Sequence, residues 1–153
     1  WKSVPDCDDT AGQHLNYDTT THAYSCGTSS VTSTQNHGLS FTIGDGVNTL
    51  GTASAYTDYL TIPFGCTISA YNLAIDTGTI TVKFWKIATG TAIPTSSNSI
   101  NTSGVGISTG TAIHSTTLSD FTSTTVTAND IMAMHVTAVS GATFVNGVLQ
   151  CDQ

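Results

Sequence analysis

The sequence predicts an all-β fold: an antiparallel β-sandwich, jelly-roll-like, preceded by a small N-terminal β-hairpin arm. Three observations predict it. Polar positions are filled by Thr and Ser, at roughly three residues in ten, while Arg and Glu are absent altogether; that composition disfavours helix and favours strand. Short alternating apolar runs recur about every ten residues between Gly, Asn and Asp turns, the rhythm of a sandwich or jelly roll. No 3.6-residue apolar period persists over a helical length, and no parallel βαβ unit is visible.

Taken in order, residues 1–34 form an arm and connector, and residues 35–153 form the sandwich. In the arm, His14 to Tyr17 and Ala23 to Cys26 flank Asp18-Thr19-Thr20-Thr21 as a turn. A lone hairpin is marginal in water and needs a disulfide or a partner surface. Residues 29–35 read as a polar connector. Residues 39–43 alternate and run into Gly44-Asp45-Gly46 as a tight turn. Residues 53–62 make a strand ending at Pro63, which belongs at an edge or bend. Residues 64–75 make a long apolar strand in which Gly65 marks a bulge or kink.

The clearest strand is 79–87, with Ile80, Val82 and Phe84 on one face and Thr81, Lys83 and Trp85 on the other. Residues 88–110 are mostly loop with room for one short strand, and residues 112–118, 121–127, 131–139 and 143–151 complete the set.

At 153 residues with 39% hydrophobic content the chain can bury one substantial core. A net charge of −7 with only Lys2, Lys83 and Lys86 as cations excludes nucleic acid and anionic membrane surfaces as expected partners. No apolar run approaches the roughly 18 residues of a membrane span. The absence of an initiator Met leaves a mature form and a fragment both open. Four cysteines at long, irregular spacings argue against zinc and permit two disulfides. Cys7 and Cys26 flank the hairpin and are the favoured pair; Cys66 and Cys151 can pair if the last strand returns beside the middle of the chain. Free buried thiols are the alternative.

The run Cys66-Thr67-Ile68, then Tyr71-Asn72-Leu73-Ala74-Ile75-Asp76, then Gly78 to Lys86 resembles a module common in bacteriophage tail-fibre and appendage proteins. In that module a C-x-I strand is followed by an ADxxGSI turn and a VxIWK strand. Asn129-Asp130-Ile131-Met132-Ala133-Met134 resembles its penultimate element, with Phe121 at the position of a tryptophan. The closing strand, Val145 to Cys151, carries a glycine in place of one bulky residue. Pro5, Cys7, Leu15, Tyr17, Tyr24, Cys26 and Gly27 are similar to a segment that precedes the C-terminal domain of phage fibres. The resemblance covers about two-thirds of the chain, and residues 35–63 lie outside it. It implies a virion surface module, trimeric in a fibre.

Candidate contact residues are Trp85, Lys83 and Tyr71. An outward Trp85 beside Lys83 suits a subunit contact or sugar stacking, and a core position on a second packed face is the third reading. Tyr71 is placed at the start of a strand with its hydroxyl at an edge. Tyr56 and Tyr59, three apart, face opposite ways. His135 alternates with Ile131 and Ala133 and is expected inward or at a subunit contact, and His14 and His22 are placed to meet across the hairpin.

No metal site is expected: Asp6, Asp8 and Asp9 read as a solvated turn, since a calcium loop needs a closing acid. No G-x-S-x-G occurs. The carboxyls Asp58, Asp76, Asp120 and Asp130, all but the first in turn-like settings, do not suggest a glycosidase pair. Asn101-Thr102-Ser103 is a formal glycosylation sequon.

The expected function is therefore non-enzymatic and cofactor-free. It is a tail-fibre or surface-appendage module, a homotrimer at the virion surface or outside the cell, attaching to a host-surface glycan. The alternative is a secreted bacterial carbohydrate-binding or filament-forming sandwich.

Overall fold

In the computed structural model, residues 13–28, 35–51, 56–90 and 92–153 are described. The chain forms two compact units, Trp1–Thr34 and Gln35–Gln153.

In the first unit, β1 (Gln13–Asp18) pairs antiparallel with β2 (Ala23–Thr28), Leu15 opposite Cys26 and Asp18 opposite Ala23. Asp18 closes the turn by accepting the Thr20 and Thr21 N–H groups at 2.8 and 3.1 Å, an Asx turn of the kind short carboxylates favour. Tyr17 and Tyr24 pack ring to ring at 5.0 Å, and the Tyr17 hydroxyl meets His22 Nδ1 at 2.7 Å. In the backbone register His14 stands opposite Gly27, at the end of the ladder away from the turn that holds His22. Cys26 is disulfide-bonded; its expected partner Cys7 lies outside the described residues, as do Asp6, Asp8 and Asp9.

The second unit is an antiparallel sandwich. Its strands are β3 (Asn36–Gly44), β4 (Thr57–Thr61), β5 (Cys66–Ile75), β6 (Thr79–Ile87), β7 (Val105–Ile107), β8 (Ala112–Ser115), β9 (Thr125–Val126), β10 (Ile131–Ser140) and β11 (Phe144–Asp152). One sheet has the order β4-β10-β6-β7; the other has the order β3-β11-β5-β8, with β9 also pairing β5. The two orders match position by position: β3 and β4, β11 and β10, β5 and β6, β8 and β7 are each neighbours in sequence but lie in opposite sheets. The chain thus wraps around one core, and most of its connections cross between sheets; only β6 to β7 and β8 to β9 stay within one. For that reason Gly44-Asp45-Gly46 is not a hairpin turn. It starts a crossing, with Asp45 accepting the Val47 and Asn48 N–H groups at 2.9 and 2.8 Å.

The inward faces alternate as sheets require. Leu39, Phe41 and Ile43 of β3 meet Ile80, Val82 and Phe84 of β6 and Met132, Met134 and Val136 of β10 in one buried cluster. Phe41 and Phe84 touch across the sheets at 5.8 Å, and Phe121 stacks on both Phe84 and Tyr71. In β11 a Cβ on Gly147 would collide with Met134 Sδ; the glycine in the closing strand is the hollow that receives a methionine from the opposite sheet.

Three expectations are corrected. The bulge in β5 lies at Ser69, where the register steps from Gln150↔Ala70 to Cys151↔Ile68, and not at Gly65, which precedes the strand. That extra residue reverses the parity of everything after it. Tyr71 therefore turns into the core, 8% exposed, in a strand flanked on both sides by β11 and β8, and presents no hydroxyl at an edge. Residues 121–127 form only the two-residue β9. Pro63 follows the edge strand β4, as expected of a residue without an N–H.

Cys66 and Cys151 form a disulfide across 85 residues, because the last strand does return beside β5. Closing a loop of that length removes unfolded-chain entropy worth about 4.6 kcal/mol. The Cys66→Ala/Cys151→Ala variant should be less stable by about that amount in denaturant unfolding, and reductant, which also opens the Cys26 disulfide, should cost the wild type at least as much.

Candidate functional site

The outer face of the four-stranded sheet carries the residues singled out in the sequence. Two rows cross it. Thr57, His135 and Lys83 stand side by side on β4, β10 and β6, and Tyr59, Ala133 and Trp85 form the next row. Trp85 lies on the face opposite Ile80, Val82 and Phe84, as alternation requires, yet only 7% of it is exposed. Its ring stacks on the His135 imidazole at 4.3 Å and 25°, and its backbone is bridged by Ser99 from the 88–104 excursion.

Trp85 is therefore closed off within its own chain, the third of the readings left open for it, and is not an outward sugar or subunit platform. Lys83 is half-buried and Tyr59 is the exposed aromatic of this face, at 42%. Tyr56 turns the other way and packs against the core.

His135 sits on the outer face with Ile131 and Ala133, while Met132, Met134 and Val136 fill the core. Its Nδ1 lies 2.7 Å from Thr57 Oγ1. Burial pulls its pKa below the ordinary 6.5, against a smaller opposing effect of a hydrogen bond with the Tyr56 backbone.

The aspartates share one occupation. Asp58 reaches from β4 to accept the Thr42 N–H of β3 at 2.8 Å. Asp76, in the β5–β6 turn, accepts the Thr143 hydroxyl at 2.5 Å and N–H at 3.0 Å, and the Phe144 N–H at 3.2 Å. Asp120 accepts the Ser103 and Gly104 N–H groups at 2.8 and 3.0 Å. Asp130 accepts the Thr127 N–H at 2.8 Å and pairs with Lys86 at 3.4 Å. The Thr143 hydroxyl chiefly, with the backbone N–H groups, holds the Asp76 carboxyl down to about 2, and the Asn48 and Val47 N–H groups do the same for Asp45.

The sequon residue Asn101 is 1% exposed, and its Oδ1 accepts the Phe84 N–H at 2.8 Å. It braces the core and offers no amide for glycosylation in the folded state. Among the described residues no three His, Cys or Asp side chains converge.

The outer face of the five-stranded sheet was not anticipated. A cleft of about 270 Å³ opens over β8, β5 and β11. Ala74 lies between Ala112 and Asn146, and His114 stands opposite Asn72 in the next row. The only advance signal was the out-facing run Asn72, Ala74 after Tyr71, and the Ser69 bulge hid it. No known protein family, curated protein or solved structure matches the chain.

Two measurements follow. Trp85→Ala should destabilise the protein by about 3 kcal/mol or more, as loss of a buried ring does, with Trp85→Phe milder; an unchanged melting temperature would contradict the burial. Because His135 and Asp76 are both depressed in the folded state, each contributes stability that is lost on acidification. The His135 part begins to fade as pH falls below about 6.5, and the Asp76 part fades from about pH 4 towards 2. Melting temperature against pH should show both steps, with His135→Phe removing the upper one and Asp76→Asn flattening the lower one.

Proposed function

We propose that this chain is a structural and adhesive module of a bacteriophage tail fibre or a similar surface appendage. It works at the virion surface or outside the cell, as a homotrimer that attaches to a host-surface glycan. One observation carries the reading: the charged side chains are spent on the fold. All seven described aspartates accept hydrogen bonds from backbone N–H groups or from a neighbouring amide or hydroxyl. Lys86 is held by Asp130 and by the Thr125 carbonyl at 2.7 Å.

Apart from Lys83 and the Tyr59 ring on the four-stranded sheet, the out-facing rows of both sheets present mainly hydroxyls, amides, imidazoles and small methyl groups. Such a surface packs against copies of itself with few ions to desolvate, and it matches the hydroxyl-rich surface of glycans. It does not set two free carboxyls against one another, as glycoside hydrolysis requires.

We read the wrapped strand order as a jelly roll, an architecture of capsid and lectin domains, and this support is analogy at the level of fold. The resemblance to phage appendage modules points the same way. Weak single contacts become useful adhesion when several copies act together.

Sedimentation of the full chain at moderate dilution should give a discrete trimer, and a glycan array should give specific binding. A monomer that binds sugar would favour a secreted carbohydrate-binding module, and open-ended polymers would favour a filament subunit. Turnover of a substrate abolished by replacing one aspartate would overturn the non-enzymatic reading.

A further inference from the structure

We infer that the cleft over β8, β5 and β11 is a binding site for one neutral sugar residue, a hexose or N-acetylhexosamine without a carboxylate. This inference rests on the adhesive reading above and assigns it a place. The floor is the pair of exposed methyl groups of Ala74 and Ala112, adjacent across the ladder. Larger side chains at these two positions would fill the cleft; here it is left open at about 270 Å³, just below the usual range of small-ligand pockets and so suited to a single ring. A pyranose ring has one face of C–H groups, which two methyl groups can support.

The walls are polar, and their orientations are fixed by bonds within the protein. The Asn146 amide nitrogen donates to the Phe41 carbonyl at 3.1 Å, Thr42 Oγ1 at 3.2 Å and Ser40 Oγ at 3.4 Å, all on β3. With the amide nitrogen committed to β3, Oδ1 is left as the acceptor of this side chain, and Asn146 lines the cleft. His114 Nδ1 meets Asn72 Oδ1 at 2.7 Å. An amide oxygen only accepts, so Nδ1 donates this bond, a tautomer in which Nε2 is the acceptor nitrogen. The same bond leaves the Asn72 amide nitrogen as a donor.

The cleft thus offers two oriented acceptors and one donor around an apolar floor, the complement of neighbouring sugar hydroxyls. Preorganisation of this kind reduces the ordering cost of binding.

The charge pattern selects the class of sugar. Asp76, two residues beyond Ala74, is turned to Thr143 and Phe144. The described lysines, Lys83 and Lys86, belong to β6 in the opposite sheet. No cation of the described residues faces the cleft to hold a sialic or uronic acid.

The test is a glycan array carrying neutral and sialylated oligosaccharides, probed with the full chain and with Ala112→Trp and His114→Ala. Both positions are exposed, and unchanged melting curves control for folding. The wild type should bind neutral terminal sugars. Ala112→Trp should abolish binding, and His114→Ala should reduce it by about tenfold, the loss of one good hydrogen bond to the ligand. Neutral-sugar binding that survives Ala112→Trp would overturn this site while leaving the adhesive reading intact. Binding of sialylated sugars alone would overturn the assigned ligand class. No binding to any glycan by the wild type would overturn the adhesive reading itself, and this site with it.

Discussion

The sandwich depends on a short carboxylate accepting backbone N–H groups at the places where the chain crosses between sheets. A wrapped ribbon has many such crossings, and each leaves backbone donors that no ladder satisfies. Asp45 closes the departure from β3. Asp76 ties the β5–β6 crossing to the β10–β11 crossing through Thr143 and Phe144. Asp130 closes the approach to β10. Asp58 caps an outward N–H of the edge strand β3 from the neighbouring sheet, which also blunts that edge against pairing with other chains. The use of Asp to the exclusion of Glu has a physical reason in this setting. A carboxylate one methylene from the backbone reaches N–H groups two or three residues on, while a longer stem loses more rotamer entropy for the same bond.

This arrangement lets the seven described aspartates stand with only two described lysines, Lys83 and Lys86. The negative charges are balanced mainly by N–H dipoles, so few cations are needed. It also sets the character of the surface. With carboxylates turned to loops, the sheet faces are left mainly to Thr, Ser, Asn, His and Ala, with Lys83 and Tyr59 as the exceptions on the four-stranded sheet. The polar clefts and the low charge are two results of one choice of residue.

The two outer faces differ in what packing has done to them. On the four-stranded sheet, Ala133 leaves space that Trp85 and His135 close by stacking. On the five-stranded sheet, Ala74 and Ala112 leave space that nothing closes, because their neighbours Asn146, Asn72 and His114 are held in place by β3 and by each other. Small residues at equivalent depths thus yield a buried stack on one side and an open cleft on the other.

The fold class, the hairpin, the alternating strand 79–87 and the aspartate-marked turns were legible in the sequence, because each is a local property: a two-residue period, a turn residue, an Asx geometry. The parity of β5 after Ser69 was not, since a bulge exists only relative to the strand it faces; Tyr71 and the Asn72–Ala74 face followed from it. Nor was the burial of Trp85, which requires His135 on a neighbouring strand, nor the hold of Asp58 on Thr42, nor the grouping of Asn72, His114 and Asn146 from three strands. Alternation tells which residues share a face, but which strands lie side by side is decided by hydrogen bonds between distant segments, and those exist only once the ribbon has wrapped.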